Sequence, residues 1–391
     1  MADPVRENEE PVKEAAAEEA VYDPVSELES NIRAALTAGA VWHTRTLIEG
    51  VHPADIADLL ERLAPEERRR FLDIIRHDFN PDILAELDEA VREEVIDYLS
   101  MEEIAAAVAG LDTDDAVQVI EELDAADQQE LLAEIPIGDR ALIEEALAYP
   151  EDSAGRMMQR EFVAVPTFWT VGQAIDYMRE HADKDESDLP ETFYDIFVVD
   201  PKHRPVGTIH LSKILSTKRP IKVSEIMVED MALIPASMDQ EDVAFMFRQR
   251  DLVSAPVIDE SGRLVGAITI DDVVDVIHEE HEEDIMRLGG VREDDLYNAA
   301  MDTTRRRFSW LFVNLITAII ASIVIGFFEG TIDQIVALAV LMPIVASMGG
   351  NAGTQTMTVA VRALAMKELR PTNAMRFIGK ELFVGGVNGI L

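Results

Sequence analysis

Cysteine is absent from the 391 residues. Disulfide bonds, thiolate metal centres and cysteine nucleophiles are excluded together. Positive charge is scarce, with 34 Lys and Arg against 76 Asp and Glu, for a formal net charge of −42. The deficit is uneven. Residues 1–300 hold 71 acidic against 26 basic side chains, whereas residues 301–391 hold 5 against 8. Such acidity argues against nucleic acid or anionic lipid as a partner of the first part and favours cations, or plain solubility. Long apolar runs are missing before Arg307, and the acidic, Ala-rich N-terminus lacks a secretory signal pattern. There is no P-loop, dinucleotide fingerprint or hydrolase triad, so the expectation is a protein that is not an enzyme. The length calls for two or more domains.

Residues 1–22 have few apolar anchors and read as a disordered acidic tail. From about 47 to 147 an apolar residue recurs every twelve positions: Leu63, Ile75, Leu87, Leu99, Leu111, Leu123, Ile135 and Leu147. A second track runs through Leu59–Leu60, Phe71–Leu72, Ile83–Leu84, Val95–Ile96, Ala107–Val108, Val119–Ile120 and Leu131–Leu132. Between them lie "HPAD", "APEE", "NPD", "LDTDD" and "LDAAD", which have the composition of helix starts. One step is a short helix plus its turn. Residues 23–150 therefore predict an all-α superhelical solenoid whose units bury their stripes against neighbours. A generic helical bundle is the competing reading.

A second repeat follows. "RMMQREFVAVP" (156–166) matches "EIMVEDMALIP" (225–235) at an offset of 69, and "IFVVDPKHRPVGTIHLSKIL" (196–215) matches "APVIDESGRLVGAITIDDVV" (255–274) at an offset of 59. The difference is an insertion in the first copy, around "HADKDESDLPET". Each copy reads strand, helix, strand, Gly-containing turn, strand, helix. This α/β pattern over 151–278 resembles a tandem pair of CBS domains. An acidic connector helix is expected over 279–304. Residues 305–391 predict an α-helical transmembrane domain with helices at about 308–328 and 335–364 and the start of a third at 377–391. Basic residues cluster before the first span and between the second and third, and the loop "EGTIDQ" has none. The positive-inside rule then places everything before the first span in the cytoplasm.

"MGGNAGTQT" (348–356) puts polar and small residues at membrane depth. Gly349 and Gly353 suit close helix packing. A pore wall suits them equally, with Pro343 and the glycines loosening the helix so that carbonyls face a hydrated cation. Asp272, Asp275, Glu279 and Glu283 share one face of a helix, with Glu280 and Asp284 beside it. Like charges at that spacing need full solvation or a counter-cation, and carboxylates with water are the ligands of Mg²⁺ and Ca²⁺. A solvated acidic face competes with that reading. "HEEH" (278–281) has the wrong spacing for the zinc helix motif and no third ligand. "GAITIDD" (266–272) fits the Gly–x–x–Thr–x–x–Asp pattern with which many CBS domains hold adenine nucleotides, through Thr269 and Asp272. The first copy has His210 and Lys213 there.

The order of solenoid, CBS pair, acidic connector and membrane helices resembles the MgtE-type magnesium channel/transporter family. Its most specific pieces are "HPADIADLLERL" (52–63), "EDIMRLGG" (283–290) and "PIVASMGGNAGTQT" (343–356). The resemblance implies a homodimeric, Mg²⁺-selective channel of the plasma (inner) membrane, with Mg²⁺ both transported and regulatory. In it the plug-like connector closes the pore when cytoplasmic Mg²⁺ is plentiful. Carried onto this chain, the sensing acids are Glu241, Asp251, Asp272, Asp275, Glu280, Glu283 and Asp284, and Asn351 lines the pore. ATP or another adenine nucleotide at the second CBS copy is a further expected ligand. The family has five membrane helices, so a chain ending at Leu391 is expected to be truncated in the third. The alternative function is a membrane-tethered CBS sensor of adenine nucleotides without transport.

Overall fold

The computed structural model describes residues 24–182, 189–190, 192–289, 291 and 300–390. The expected tail at 1–22 and part of the expected connector, 292–299, lie outside the described residues. Two compact units meet between Val91 and Arg92.

The first unit holds helices α1 (Pro24–Ala38), α2 (Val41–Ile48), α3 (Pro53–Arg62), α4 (Pro65–Ile75) and α5 (Asp82–Ala85). α6 (Glu89–Tyr98) spans the boundary. The second unit continues with α7 (Met101–Val108), α8 (Thr113–Glu121), α9 (Ala125–Glu134) and α10 (Ile137–Leu147). The twelve-residue step is visible in the helix starts. N-caps fall at His52, Ala64, Ser100, Asp112, Asp124 and Pro136, all on one twelve-residue grid. Several are closed by side chains. His52 accepts from the Ala54 amide at 3.2 Å and Asp124 from Ala126 at 2.9 Å. Ser100 and Glu103 form a reciprocal capping box. The second apolar track is buried throughout except at Leu132, because it occupies the helix bodies. The first track lies at helix ends, where Leu63 and Ile135 are buried and Leu99, Leu111 and Leu123 only half so. In the first unit Arg68 is buried and donates to the Leu60 and Leu63 carbonyls at 2.8 and 3.3 Å, satisfying acceptors that end α3.

The internal repeat builds two three-stranded sheets. β1 (Ala164–Pro166), β2 (Asp195–Val199) and β3 (Pro205–His210) form one in that order, with α11 (Val171–Ala182) and α12 (Leu211–Ser216) around them. β4 (Ile234–Pro235), β5 (Ser254–Ile258) and β6 (Leu264–Thr269) form the other, with α13 (Gln240–Arg250). In both, the first pair is parallel and the second antiparallel. Register and irregularity repeat too: Asp195 faces His210 as Ser254 faces Thr269, and the shifts fall at Val198/Val199 and Val257/Ile258. Phe197, Val199, Leu264 and Ala267 pack the copies together. The turn glycines have a steric cause. A β-carbon on Gly207 would meet Met227 Sδ at 2.8 Å, and one on Gly266 would meet Met158 Sδ at 2.5 Å.

α14 (Ile270–Gly289) leaves β6 and runs unbroken across the expected junction of CBS pair and connector at 278/279. Four further helices follow: α15 (Ala300–Phe327), α16 (Glu329–Gln334), α17 (Val336–Ala365) and α18 (Ala374–Ile390). Among the described residues, Arg307–Phe327 and Val336–Ala365 are long and apolar enough to cross a membrane. α17 is continuous through Pro343 and "MGGNAGTQT". The helix does not unwind there: Pro343 leaves the Ala339 carbonyl without an amide one turn on, while the carbonyls within 348–356 stay turned along the axis. Polar lining from this segment would have to come from side chains.

Candidate functional site

The start of α14 is fixed locally. The Thr269 hydroxyl donates to Asp272 Oδ2 at 2.8 Å and the Thr269 amide approaches the same oxygen at 3.4 Å, which makes Thr269 and Asp272 the two ends of a helix cap. Glu161 does the same for α8. It accepts from the Thr113 hydroxyl at 2.7 Å and the Thr113 amide at 3.3 Å, supplying negative charge to a helix N-terminus. Two more polar links hold the same segments: Arg156 to Glu121 and Arg160 to Glu145, each at 3.4 Å. Arg160 also donates to the Val265 carbonyl at 2.8 Å.

Asp114 lies in the first turn of α8, near enough to Asp272 to feel its charge, and Asp115 and Asp271 add theirs. Both residues are half-buried. Burial pushes the Asp114 carboxyl well above the usual carboxylate range, and the charges of Asp272, Asp115 and Asp112 push it further. Burial likewise raises Asp272 to about 7, against the lowering effect of the Thr269 hydroxyl, with Asp271 and Asp115 adding to the rise. No basic group is among the causes acting on either acid. A doubly charged cation with a water shell would relieve this crowding, and Mg²⁺ typically takes one or two carboxylates and keeps several waters. Among the described residues no three His, Asp or Glu side chains converge in metal-holding geometry. The pair by itself is not a closed cage for an ion.

The other expected acids are spread out. Asp275 and Glu280 are raised by burial, Asp275 also by Asp271. Glu280 accepts from Gln240 Nε2 at 3.2 Å, which ties α14 to the start of α13. Glu283 is paired with Arg287 one turn on, and Asp284 is half-buried beside it. Glu241 lies in the first turn of α13, and Asp251 caps its far end with φ of 52°. An eleven-residue helix separates its ends by about 15 Å, so those two do not share an ion. Asn351 sits on α17 within the apolar span. Asp114 and Asp115 escaped the sequence reading. Their only signal was "LDTDD", where acids in a first turn satisfy the helix dipole equally well.

The two CBS copies present related clefts of unequal size. Beside Thr269 the cavity is about 20 Å³, lined by Pro190, Phe193, Tyr194 and Ala267 among others. Its counterpart beside His210 is about 530 Å³, lined by Phe197, Thr208, Arg250, Leu252 and Pro256 among others. At its floor Asp195 accepts from Ser254 at 2.7 Å and meets His210 Nδ1 at 2.5 Å. Asp195 and Ser254 are themselves equivalent positions of the two copies, 59 residues apart. The larger cleft therefore belongs to the copy that departs from the nucleotide pattern.

Residues 51–152 match the MgtE intracellular N domain, 154–219 and 223–279 match CBS domains, and 342–391 match the MgtE divalent cation transporter domain. The magnesium transporter MgtE of Thermus thermophilus is 32% identical over 378 residues, which cover 92% of this chain and 80% of that protein. The chain belongs to the MgtE magnesium transporter family. The MgtE of Bacillus subtilis is 29% identical over 361 residues, 91% of this chain and 79% of the relative. The cytosolic domain of the Mg²⁺ channel MgtE in complex with ATP superposes with a TM-score of 0.58 at 32% identity, covering 63% of this chain and 99% of that one. The soluble part of a magnesium transporter gives 0.56 at 26% identity, covering 66% and 99%. The MgtE relatives are named as transporters, and the two long apolar helices fit a membrane protein.

Proposed function

We propose that this chain carries Mg²⁺ across the membrane as a Mg²⁺-gated, Mg²⁺-selective channel, acting as a homodimer with its acidic domains in the cytoplasm. The observation that carries the gating is that the charge of Asp272, at the root of the connector, acts on the Asp114 carboxyl of the helical domain. At low Mg²⁺ the two charges oppose docking of α8 on α14. Mg²⁺ binds the docked arrangement better than the separated one, so the docked population rises with the ion. Asp275, Glu280, Glu283, Asp284, Glu241 and Asp251 supply further weak, water-rich positions on the same acidic surface. Asn351 then lines the path in the membrane, through its side chain.

Orientation follows from charge. Arg305, Arg307, Arg362, Lys367, Arg370, Arg376 and Lys380 lie on one side of the spans, and the Glu329–Gln334 turn has no base. The test is hydrogen exchange on the full chain in lipid nanodiscs, at millimolar Mg²⁺ against NaCl of equal ionic strength. Protection of the α8 and α14 amides that grows with Mg²⁺ alone supports the reading. Equal protection in both salts refutes it.

A second ligand is favoured by the 530 Å³ cleft, which falls in the size range of small-molecule sites. An adenine nucleotide would rest between Phe197 and Leu252, with Arg250 toward its phosphates. ATP binding lost in His210→Ala but retained in Thr269→Val is the expected result; the reverse would return the nucleotide to the second copy.

A further inference from the structure

α17 ends on a residue in an uncommon conformation. Lys367 has φ of 53°, in the left-handed region where glycine is the usual occupant. Its amide donates to the Leu364 carbonyl and that of Leu369 to Ala363, both at 2.8 Å, closing the helix end. Asn373 then donates to the Glu368 carbonyl at 2.7 Å and accepts from the Arg370 amide at 2.8 Å. The turn after α17 is therefore a hydrogen-bonded platform, with Lys367 at its lip.

The Lys367 ammonium contacts the Asp242 carboxylate on α13. It also lies 5.1 Å from the centre of the Phe245 ring, and the Arg248 guanidinium lies 5.4 Å from the same ring. Arg248 Nη1 further approaches Met366 Sδ at 3.2 Å. Asp242, Phe245 and Arg248 are spaced three apart, so one stripe of α13 makes every one of these contacts. α13 also packs on α14, and Gln240 at its start donates to Glu280. One helix thus touches both the acidic connector and the membrane platform. An exposed ion pair alone contributes little, but this lysine is only 27% exposed and its charge is shared with an aromatic face.

We infer that Lys367 is a positioning residue that seats the second CBS copy on the membrane platform, giving ion occupancy around α13 a route to the end of α17 in addition to the direct packing of α14 on α17. The inference rests on the gating reading above. The experiment uses the full chain in membrane vesicles and a water-soluble carbodiimide. The reagent activates the Asp242 carboxylate, the Lys367 amine displaces it to form an amide, and the water removed leaves as the urea. Mass spectrometry is expected to find the Asp242–Lys367 peptide, with a yield that changes at least about threefold over a millimolar Mg²⁺ titration, within what a half-exposed ion pair allows. Lys367→Glu should abolish the Mg²⁺-dependent exchange change in the last turn of α17 and the turn after it while sparing that of α8 on α14. Lys367→Glu with Asp242→Lys should restore both the product and the response. Absence of the product, a yield indifferent to Mg²⁺, or failure of the double exchange overturns the inference. A Mg²⁺-responsive product alongside an unresponsive α8–α14 contact would instead refute the gating reading and leave the seat standing.

Discussion

Replacing Asp272 by Asn tests the central electrostatic claim with little steric change. The amide oxygen still accepts from Thr269, so the cap of α14 survives. What goes is a charge whose carboxyl is held at about 7 instead of 3.8. That gap corresponds to about 4 kcal/mol for ionising the group in place, and residual solvent access lowers the effective cost to roughly 2–4 kcal/mol. A carboxyl whose pKa is raised on docking binds more protons docked than free. Docking is therefore strongest at acid pH, weakens as pH climbs from about 4 to about 7, and levels off above. In Asp272→Asn the Asp272 share of this slope disappears, and the share of Asp114, raised chiefly by burial, remains. Exchange of the α8 amides, corrected for intrinsic rate and measured at about pH 8 without Mg²⁺, should slow by at least tenfold, since about 1.4 kcal/mol already gives a factor of ten. Added Mg²⁺ should then change little. If the variant exchanged like the parent and kept its full Mg²⁺ response, the Asp114–Asp272 contact would not be the element that opposes docking.

Other outcomes follow from the same contacts. Mg²⁺ and protons compete for Asp272, so the Mg²⁺ midpoint for docking in the parent chain should fall as pH rises from about 6 to about 8, read by the same exchange signal. Glu161→Gln weakens the cap on α8 by about 1 kcal/mol and should loosen the Thr113 amide before the rest of the helix. Gly266→Ala drives a methyl into Met158 and should cost the second CBS copy about 1–3 kcal/mol in a denaturant melt. Asn351→Leu should lower Mg²⁺ flux in vesicles without lowering helical content by circular dichroism, since α17 needs no help from that side chain to stay helical.

Much of the architecture was legible because it is periodic. A twelve-residue beat starts most of the solenoid helices on one grid, α5 with its N-cap at Pro81 being an exception, and residues such as Ser100 and Asp124 mark it in plain text. Offsets of 59 and 69 foretold two copies of one strand and helix pattern; the structure adds that their registers match, down to the shifts at Val198/Val199 and Val257/Ile258. What the sequence hid was long-range. "LDTDD" looks like any helix start, and only the fold brings Asp114 to Asp272 across more than a hundred and fifty residues. Thr269 and Asp272 read as a ligand pattern, yet in the structure they bond to each other first. Pro343 and the glycines suggested a loosened membrane helix, but α17 stays helical through them, and Pro343 costs it one backbone hydrogen bond without ending it.

The unbroken run of α14 gives the molecule a lever. Twenty residues of helix make a rod of about 30 Å, and a rod rotates without bending. Asp272 sits at its fulcrum, Glu283 and Asp284 toward its far end. A tilt of about 5° at the first turn moves the far end by about 2–3 Å, the width of one water molecule. Charge settled at the root is thereby read out as distance at the tip.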